Sequence, residues 1–338
     1  MSDRPRIVLI VAFTGAIALA VVLLVSNSGV SPEQQWRPGT AVPRALAMGT
    51  TVVDRSVPVA VAPQISAWTG SQYLTLGANA RGRNVGAVYR PRDGRWRTMA
   101  EIPFGSALRG ASGVWTGRIW VVTGVLCDAV GRVARDGHVD ECDPGTLATA
   151  AYEPATDTWR VVDALPFPGA SGFGRGHDSA FGSAVGMLGD DAVFQIDGQY
   201  YAFRPDSWDW LWLPQPRTAE PVACSIGGTL FTYDASARAV VQFGADDTRW
   251  TTAPRAPEGS PRASNSPHVA CSDSTFYVYA PPSRTAYAFD PRRREWSEVP
   301  SLPASLQPIA DASNAVWFRP DAALAVSPAG ELSAYRVG

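Results

Sequence analysis

The chain has 338 residues, 46% of them hydrophobic and 18% charged, with 29 basic residues against 31 acidic ones and a net charge of −2. That is an ordinary globular composition, and its near-neutral balance gives no sign of a nucleic-acid partner. Every basic residue is an arginine.

Residues 1–6 are a short polar stub carrying Arg4 and Arg6. Ile7 to Val25 follows without a charge. A helix of about nineteen residues at about 1.5 Å rise spans roughly 28 Å, enough to cross a hydrocarbon core. The apolar core of a cleaved signal is shorter, about 7–15 residues. The small-residue sites around Ala16 to Ala20 lie inside the run rather than after it. Residues 7–25 therefore read as an uncleaved signal anchor, with a cleaved and secreted form as the alternative. The arginines precede the run and none follows before Arg37, so the stub stays cytoplasmic and the remainder lies outside the plasma membrane. Residues 26–35 are small and polar, a linker.

From Trp36 onward a pattern repeats. An aromatic is followed seven residues later by Trp at Tyr89/Trp96, Tyr152/Trp159, Phe203/Trp210, Phe243/Trp250 and Phe289/Trp296. Trp is followed seven residues later by Pro at Trp36/Pro43, Trp96/Pro103, Trp159/Pro166, Trp250/Pro257 and Trp296/Pro303. Self-similarity at a period of roughly 50 residues predicts a repeat architecture. The residues before each aromatic alternate as a strand. The next six are rich in turn formers, as in RPRDGR and EPATDT. The Trp opens a second strand, and Pro, which cannot donate to a ladder, ends it. Two shorter strands stand upstream, clearest around Thr116-Gly117-Arg118 and Ile226-Gly227-Gly228. Each unit then has four antiparallel strands.

These features resemble the kelch-repeat β-propellers, the superfamily of the galactose-oxidase-type propeller. The resemblance rests on the small-residue first strand, the apolar second strand and the Tyr/Phe-x6-Trp hairpin ending in Leu-Pro or Ile-Pro. It covers residues 36–338. Leu76-Gly77-Ala78 and Val122-Thr123-Gly124 each keep one glycine of the family's pair. The resemblance implies an all-β, kelch-like β-propeller; the repeat count makes it six-bladed, and the run 7–25 places a single transmembrane helix before it. Trp36 lacks its upstream aromatic, and the chain ends after Leu332 to Arg336 without a final Trp. The strand around Trp36 is thus expected to complete the last blade. A seventh blade would have to lie in residues 44–64.

Blade two carries an insertion from Val125 to Leu147, bracketed by Cys127 and Cys142. Outside the cytoplasm these read as a disulfide, contributing on the order of 3 kcal/mol in the chain-entropy model. Asp128, Asp136, Asp140, Glu141 and Asp143 make the loop either a Ca²⁺ site or a solvated acidic loop. Residues 167–186 are glycine-rich and include Arg175, His177 and Asp178. This is either a ligand-approach loop or a plain connection between blades. Trp208, Trp210 and Trp212 alternate onto one face, which suits either sugar stacking or packing against the next blade. Cys224 and Cys271 occupy equivalent places in two Val-Ala-Cys-Ser strands, either as a second disulfide or as small buried residues.

In an up-and-down blade the long segments 37–64, 125–147 and 167–186 leave from one face, and function tends to sit on such loops. Arg175, His177, Asp178, Asp136 and His138 are the candidate binding residues there. The copper site of the galactose-oxidase relatives needs two His and two Tyr, and no pairing among His138, His177 and His268 matches it. No GxSxG elbow and no Cys-x-x-Cys signature is present. No metal or cofactor is therefore expected beyond the Ca²⁺ alternative. The reading is an extracytoplasmic, membrane-anchored scaffold that binds an envelope protein or glycan. The alternative is an envelope enzyme acting on a carbohydrate, an isomerase or oxidase, at the channel mouth.

Overall fold

The computed structural model describes residues 49–54, 63–79, 83–106, 108–127, 145–163, 183–218, 224–263, 267–280, 285–300, 316–319, 322–326 and 331–336. Within them the chain is all-β, and its strands form six four-stranded antiparallel sheets. The first sheet holds β2 (Pro63–Trp68), β3 (Tyr73–Ala78), β4 (Asn84–Arg90) and β5 (Arg95–Thr98). The second holds β6 (Leu108–Trp115), β7 (Trp120–Cys127), β8 (Gly145–Glu153) and β9 (Thr158–Val162). The third holds β10 (Ser183–Leu188), β11 (Asp191–Ile196), β12 (Gln199–Arg204) and β13 (Asp209–Leu213). The fourth holds β14 (Cys224–Ile226), β15 (Thr229–Asp234), β16 (Ala239–Phe243) and β17 (Thr251–Arg255). The fifth holds β18 (His268–Cys271), β19 (Phe276–Tyr279), β20 (Ala286–Asp290) and β21 (Glu295–Val299). The sixth joins the two ends of the chain: β22 (Val316–Arg319), β23 (Ala322–Val326) and β24 (Leu332–Arg336) are completed by β1 (Gly49–Asp54).

The seven-residue offset is the geometry of a hairpin. In β4 and β5, Tyr89 lies directly opposite Trp96 and Arg90 opposite Arg95, leaving a four-residue turn. The same cross-strand pairing joins Tyr152 to Trp159, Phe203 to Trp210 and Phe289 to Trp296. Their ring centroids stand 5.0 to 5.4 Å apart. Such pairs contribute about 0.5–1.5 kcal/mol beyond their burial. The turn closes through a left-handed last residue, Gly94, Asp157, Trp208 or Arg294.

The first four sheets each bury both faces, so their middle strands are apolar residue after residue. In β7, Trp120 and Val122 pack toward the first sheet and Val121 toward the third. Further clusters lie between the third and fourth sheets, the fourth and fifth, and the sixth and first. The first strands β22, β2, β6, β10, β14 and β18 neighbour one another in that order, apart from β18 and β22.

A second bond made by the same tryptophans joins the sheets. Trp159 donates its indole N–H to the Ala100 carbonyl at 2.9 Å. Trp210 donates to Asp163 at 3.2 Å, Trp250 to Pro214 at 2.7 Å and Trp296 to Pro254 at 2.8 Å. Each acceptor stands four residues after the tryptophan of the preceding sheet. Trp96 breaks the series: its buried indole nitrogen has no hydrogen-bond partner among the described residues. The inner side of the third and fourth sheets meets through turns. The Gly189 N–H donates to the Gly228 carbonyl at 2.9 Å, and Gly228 has φ +76°. A Cβ at Gly228 would stand 2.9 Å from the Gly189 nitrogen.

Two expectations change. The strand paired with β24 is Gly49–Asp54, with Thr50 opposite Tyr335, and not the segment around Trp36. The run Gly49–Asp54 is rich in β-branched Thr and Val, which suit a pleated surface. Trp36 is soon followed by Pro38-Gly39, which interrupt a ladder; Trp36 itself lies outside the described residues. The insertion in the second sheet is shorter than expected at both ends. Val125, Leu126 and Cys127 still pair with Leu147, Thr146 and Gly145.

Cys224 and Cys271 form a disulfide between β14 and β18, with Cα atoms 6.3 Å apart. The bridge ties the first strands of two adjacent sheets. Cys142 and the Cys127 side chain lie outside the described residues.

Phenylalanine at Trp159 or Trp250 keeps an aromatic ring and removes the inter-sheet donor. Each should lower unfolding stability in urea by about 1 kcal/mol more than Trp96→Phe, whose donor has no partner among the described residues; equal losses at the three sites would remove the indole bond as a joint. Replacing Cys224 and Cys271 together by serine should cost about 4 kcal/mol for a separation of 47 residues. Dithiothreitol should shift the melting temperature of the native protein and leave this variant unmoved.

Candidate functional site

The binding residues expected from sequence, Arg175, His177, Asp178, Asp136 and His138, lie outside the described residues. So do the acidic positions between Cys127 and Cys142, and the anchor segment 7–25. The antiparallel order does place the ends of β7 and β9 at the same edge of the second sheet, from which residues 128–144 and 164–182 depart. Among the described residues no group of His, Cys, Asp and Glu could hold a metal ion. Nor is any helix there long and apolar enough to cross a membrane. His268 is half-buried on β18 and stacks on Tyr279 with centroids 5.5 Å apart.

One polar cluster joins the first two sheets. Arg97 on β5 donates to the Tyr152 hydroxyl at 2.9 Å and pairs with Asp157 at 2.5 Å. Tyr152 donates to Asp157 Oδ1 at 2.6 Å, and the Ala100 N–H donates to the same oxygen at 3.2 Å. Burial and the Asp157 carboxylate push the Tyr152 phenol up to about 12, so it is no base at neutral pH. Burial raises the Asp157 carboxyl, but the bonds from Tyr152, Arg97 and the Ala100 N–H outweigh it and hold it below the usual range. The three groups hold one another across the seam, which makes them a joint between sheets.

The three tryptophans of the third sheet separate into different roles. Trp208 sits in the turn at φ 58°, packs on Phe203 and takes the Arg160 guanidinium at 3.7 Å from its ring centre. Trp210 packs on Phe194 and Phe203 and makes the inter-sheet bond. Trp212 is 55% exposed, and neighbouring Leu211 is 42% exposed. The Trp212 indole N–H reaches the Gln199 amide oxygen at 3.4 Å, and the Gln215 amide nitrogen is 3.0 Å from the same oxygen. An exposed indole beside two amides offers a flat apolar surface together with neutral donors and acceptors.

Beyond β13 the outer strands of the third and fourth sheets leave a cleft of about 720 Å³. Arg217, Asp234, Thr248, Arg249 and Trp250 line it, with Gln215 at one side. Sequence reading missed Arg217 and Arg249. Arg249 stands just before Trp250, and Arg217 stands seven residues after Trp210, where the other tryptophans of the pattern have Pro. The two segments meet across the seam, where Trp250 donates to the Pro214 carbonyl.

Compared with known proteins, the chain matches no family model. No curated protein matches its sequence either.

Asparagine at Asp157 should lower stability at pH 7 by about 1 kcal/mol, a modest figure because the carboxylate is partly exposed. A depressed carboxyl stabilises the fold fully above its unfolded pKa of about 3.9 and loses that contribution as pH falls through the folded value. Denaturation curves of the native protein and Asp157→Asn should therefore converge below about pH 4. A gap that persists unchanged into acid would assign the role to the amide substitution itself.

Proposed function

We propose that the six sheets are the blades of a kelch-like β-propeller and that the protein is an extracytoplasmic scaffold binding a glycan of the cell envelope. The order in which the sheets pack supports the ring: each described interface joins consecutive sheets, and the sixth meets the first. Pairing β1 with β24 draws the last sheet from two distant stretches of the chain, as a ring closed on itself requires. The anchor rests on the uncharged run Ile7 to Val25, which holds the propeller at the outer surface of the plasma membrane.

The observation that carries the binding reading is Trp212. Burying an aromatic in a seam was open to it, as it was to Trp210, yet most of its surface faces solvent beside Gln199 and Gln215. Aromatic faces with amide neighbours suit sugar rings, whose C–H faces are apolar and whose edges carry hydroxyls.

The test is affinity electrophoresis of the full-length protein in detergent micelles through envelope polysaccharide. The native protein should be retarded. Trp212→Ala should migrate with at least about tenfold weaker binding and with stability within about 0.5 kcal/mol of native, as for an exposed side chain. Equal retardation of the two proteins would sink the assignment of Trp212 as the contact.

A further inference from the structure

The cleft between the third and fourth sheets differs in charge from the Trp212 surface. Two guanidinium groups, Arg217 and Arg249, line it, and among the described residues neither pairs with a carboxylate. Two arginines at other seams do: Arg97 meets Asp157, and Arg118 meets Asp206 at 3.4 Å. Asp234 is the acidic residue in the lining, and its Oδ1 is already taken. It accepts the Ser236 N–H at 2.9 Å, the Ala237 N–H at 3.0 Å and the Ser236 hydroxyl at 2.6 Å. The cleft therefore holds an excess of positive charge.

Its walls are also held in place before any ligand arrives. The Trp250 indole is tied to the Pro214 carbonyl at 2.7 Å, so the two sides of the cleft are joined to each other. Arg217 follows Pro214-Gln215-Pro216, a segment in which two prolines fix φ. Pre-ordered groups lose less freedom on binding. Thr248 and Thr252 add hydroxyls that both donate and accept, and the Thr251 hydroxyl, which donates to the Gln242 carbonyl at 3.4 Å, can accept. A volume of about 720 Å³ lies within the range of small-molecule sites.

We propose that this cleft binds an acidic saccharide, with Arg217 and Arg249 on its carboxylates, the threonine hydroxyls on its ring hydroxyls and Trp250 against a sugar face. The proposal deepens the glycan-scaffold reading and rests on it. Guanidinium recognises carboxylate through two parallel N–H bonds, which gives geometry as well as charge. Three hydroxyls and an indole in the lining favour a saccharide over an acidic peptide.

The experiment is calorimetric titration of the full-length protein in detergent micelles with trigalacturonate, neutral maltotriose and hexaglutamate. Trigalacturonate should bind at least about tenfold more tightly than maltotriose, and Arg217→Gln or Arg249→Gln should each weaken it about tenfold. Arg255→Gln alters an exposed arginine on β17 outside the cleft and should leave binding unchanged. Equal binding of the two trisaccharides, no binding of trigalacturonate, or an equal loss with Arg255→Gln would overturn the proposal. Hexaglutamate binding as well as trigalacturonate, and lost with the same two variants, would replace the saccharide by an acidic peptide. If trigalacturonate fails while retardation in envelope polysaccharide still depends on Trp212, the cleft proposal falls and the scaffold reading stands.

Discussion

The structure depends on one side chain used twice. A tryptophan seven residues after an aromatic closes its own hairpin by ring contact, and its indole N–H then reaches the backbone of the sheet before it. The first contact is local and costs little chain entropy to form. The second joins units that the chain has already brought together in sequence. Because the acceptor always stands four residues beyond the previous tryptophan, the same step is repeated from sheet to sheet. Neighbouring sheets thus meet in one fixed offset, and the clusters between them pack in that offset as well.

Arginine supplies a second set of joints. Arg97 reaches Tyr152 and Asp157 from the first sheet to the second, and Arg160 lies over Trp208 from the second to the third. A guanidinium suits these seams because it is planar, donates in several directions and stacks on aromatic rings. The cleft between the third and fourth sheets has the arginines without the carboxylates. That contrast, together with the exposed Trp212, concentrates the chemistry available to a ligand on the outer strands of the third and fourth sheets. A functional surface there would need no movement of the frame, since the frame's own bonds position it.

The repeat was legible because its parts are close in sequence. Tyr89 and Trp96, or Phe289 and Trp296, declare a hairpin by spacing alone. The equivalence of Cys224 and Cys271 was legible for the same reason, from two copies of Val-Ala-Cys-Ser. Their approach to 6.3 Å was not, because it depends on how two first strands lie side by side. The Trp-to-Pro spacing at Trp36 pointed to the wrong closing strand: a side-chain pattern marks a unit, whereas ladder pairing selects whichever segment can donate along its length. Gly49–Asp54 can, without a proline.

By itself the sequence determined the all-β class, the four-strand unit, its hairpins and the sharing of the last sheet between both chain ends. These follow from periodicity and turn chemistry, which act over a few residues. Only the tertiary structure decided that Trp208 and Trp210 serve the scaffold while Trp212 faces solvent, and that Arg217 and Arg249 line one cleft. Those outcomes depend on which faces of neighbouring sheets meet, and on a bond from Trp250 to Pro214 that spans two units of the repeat. Burial and charge partnership are properties of the seam between units, and a seam has no local signature in the residues on either side of it.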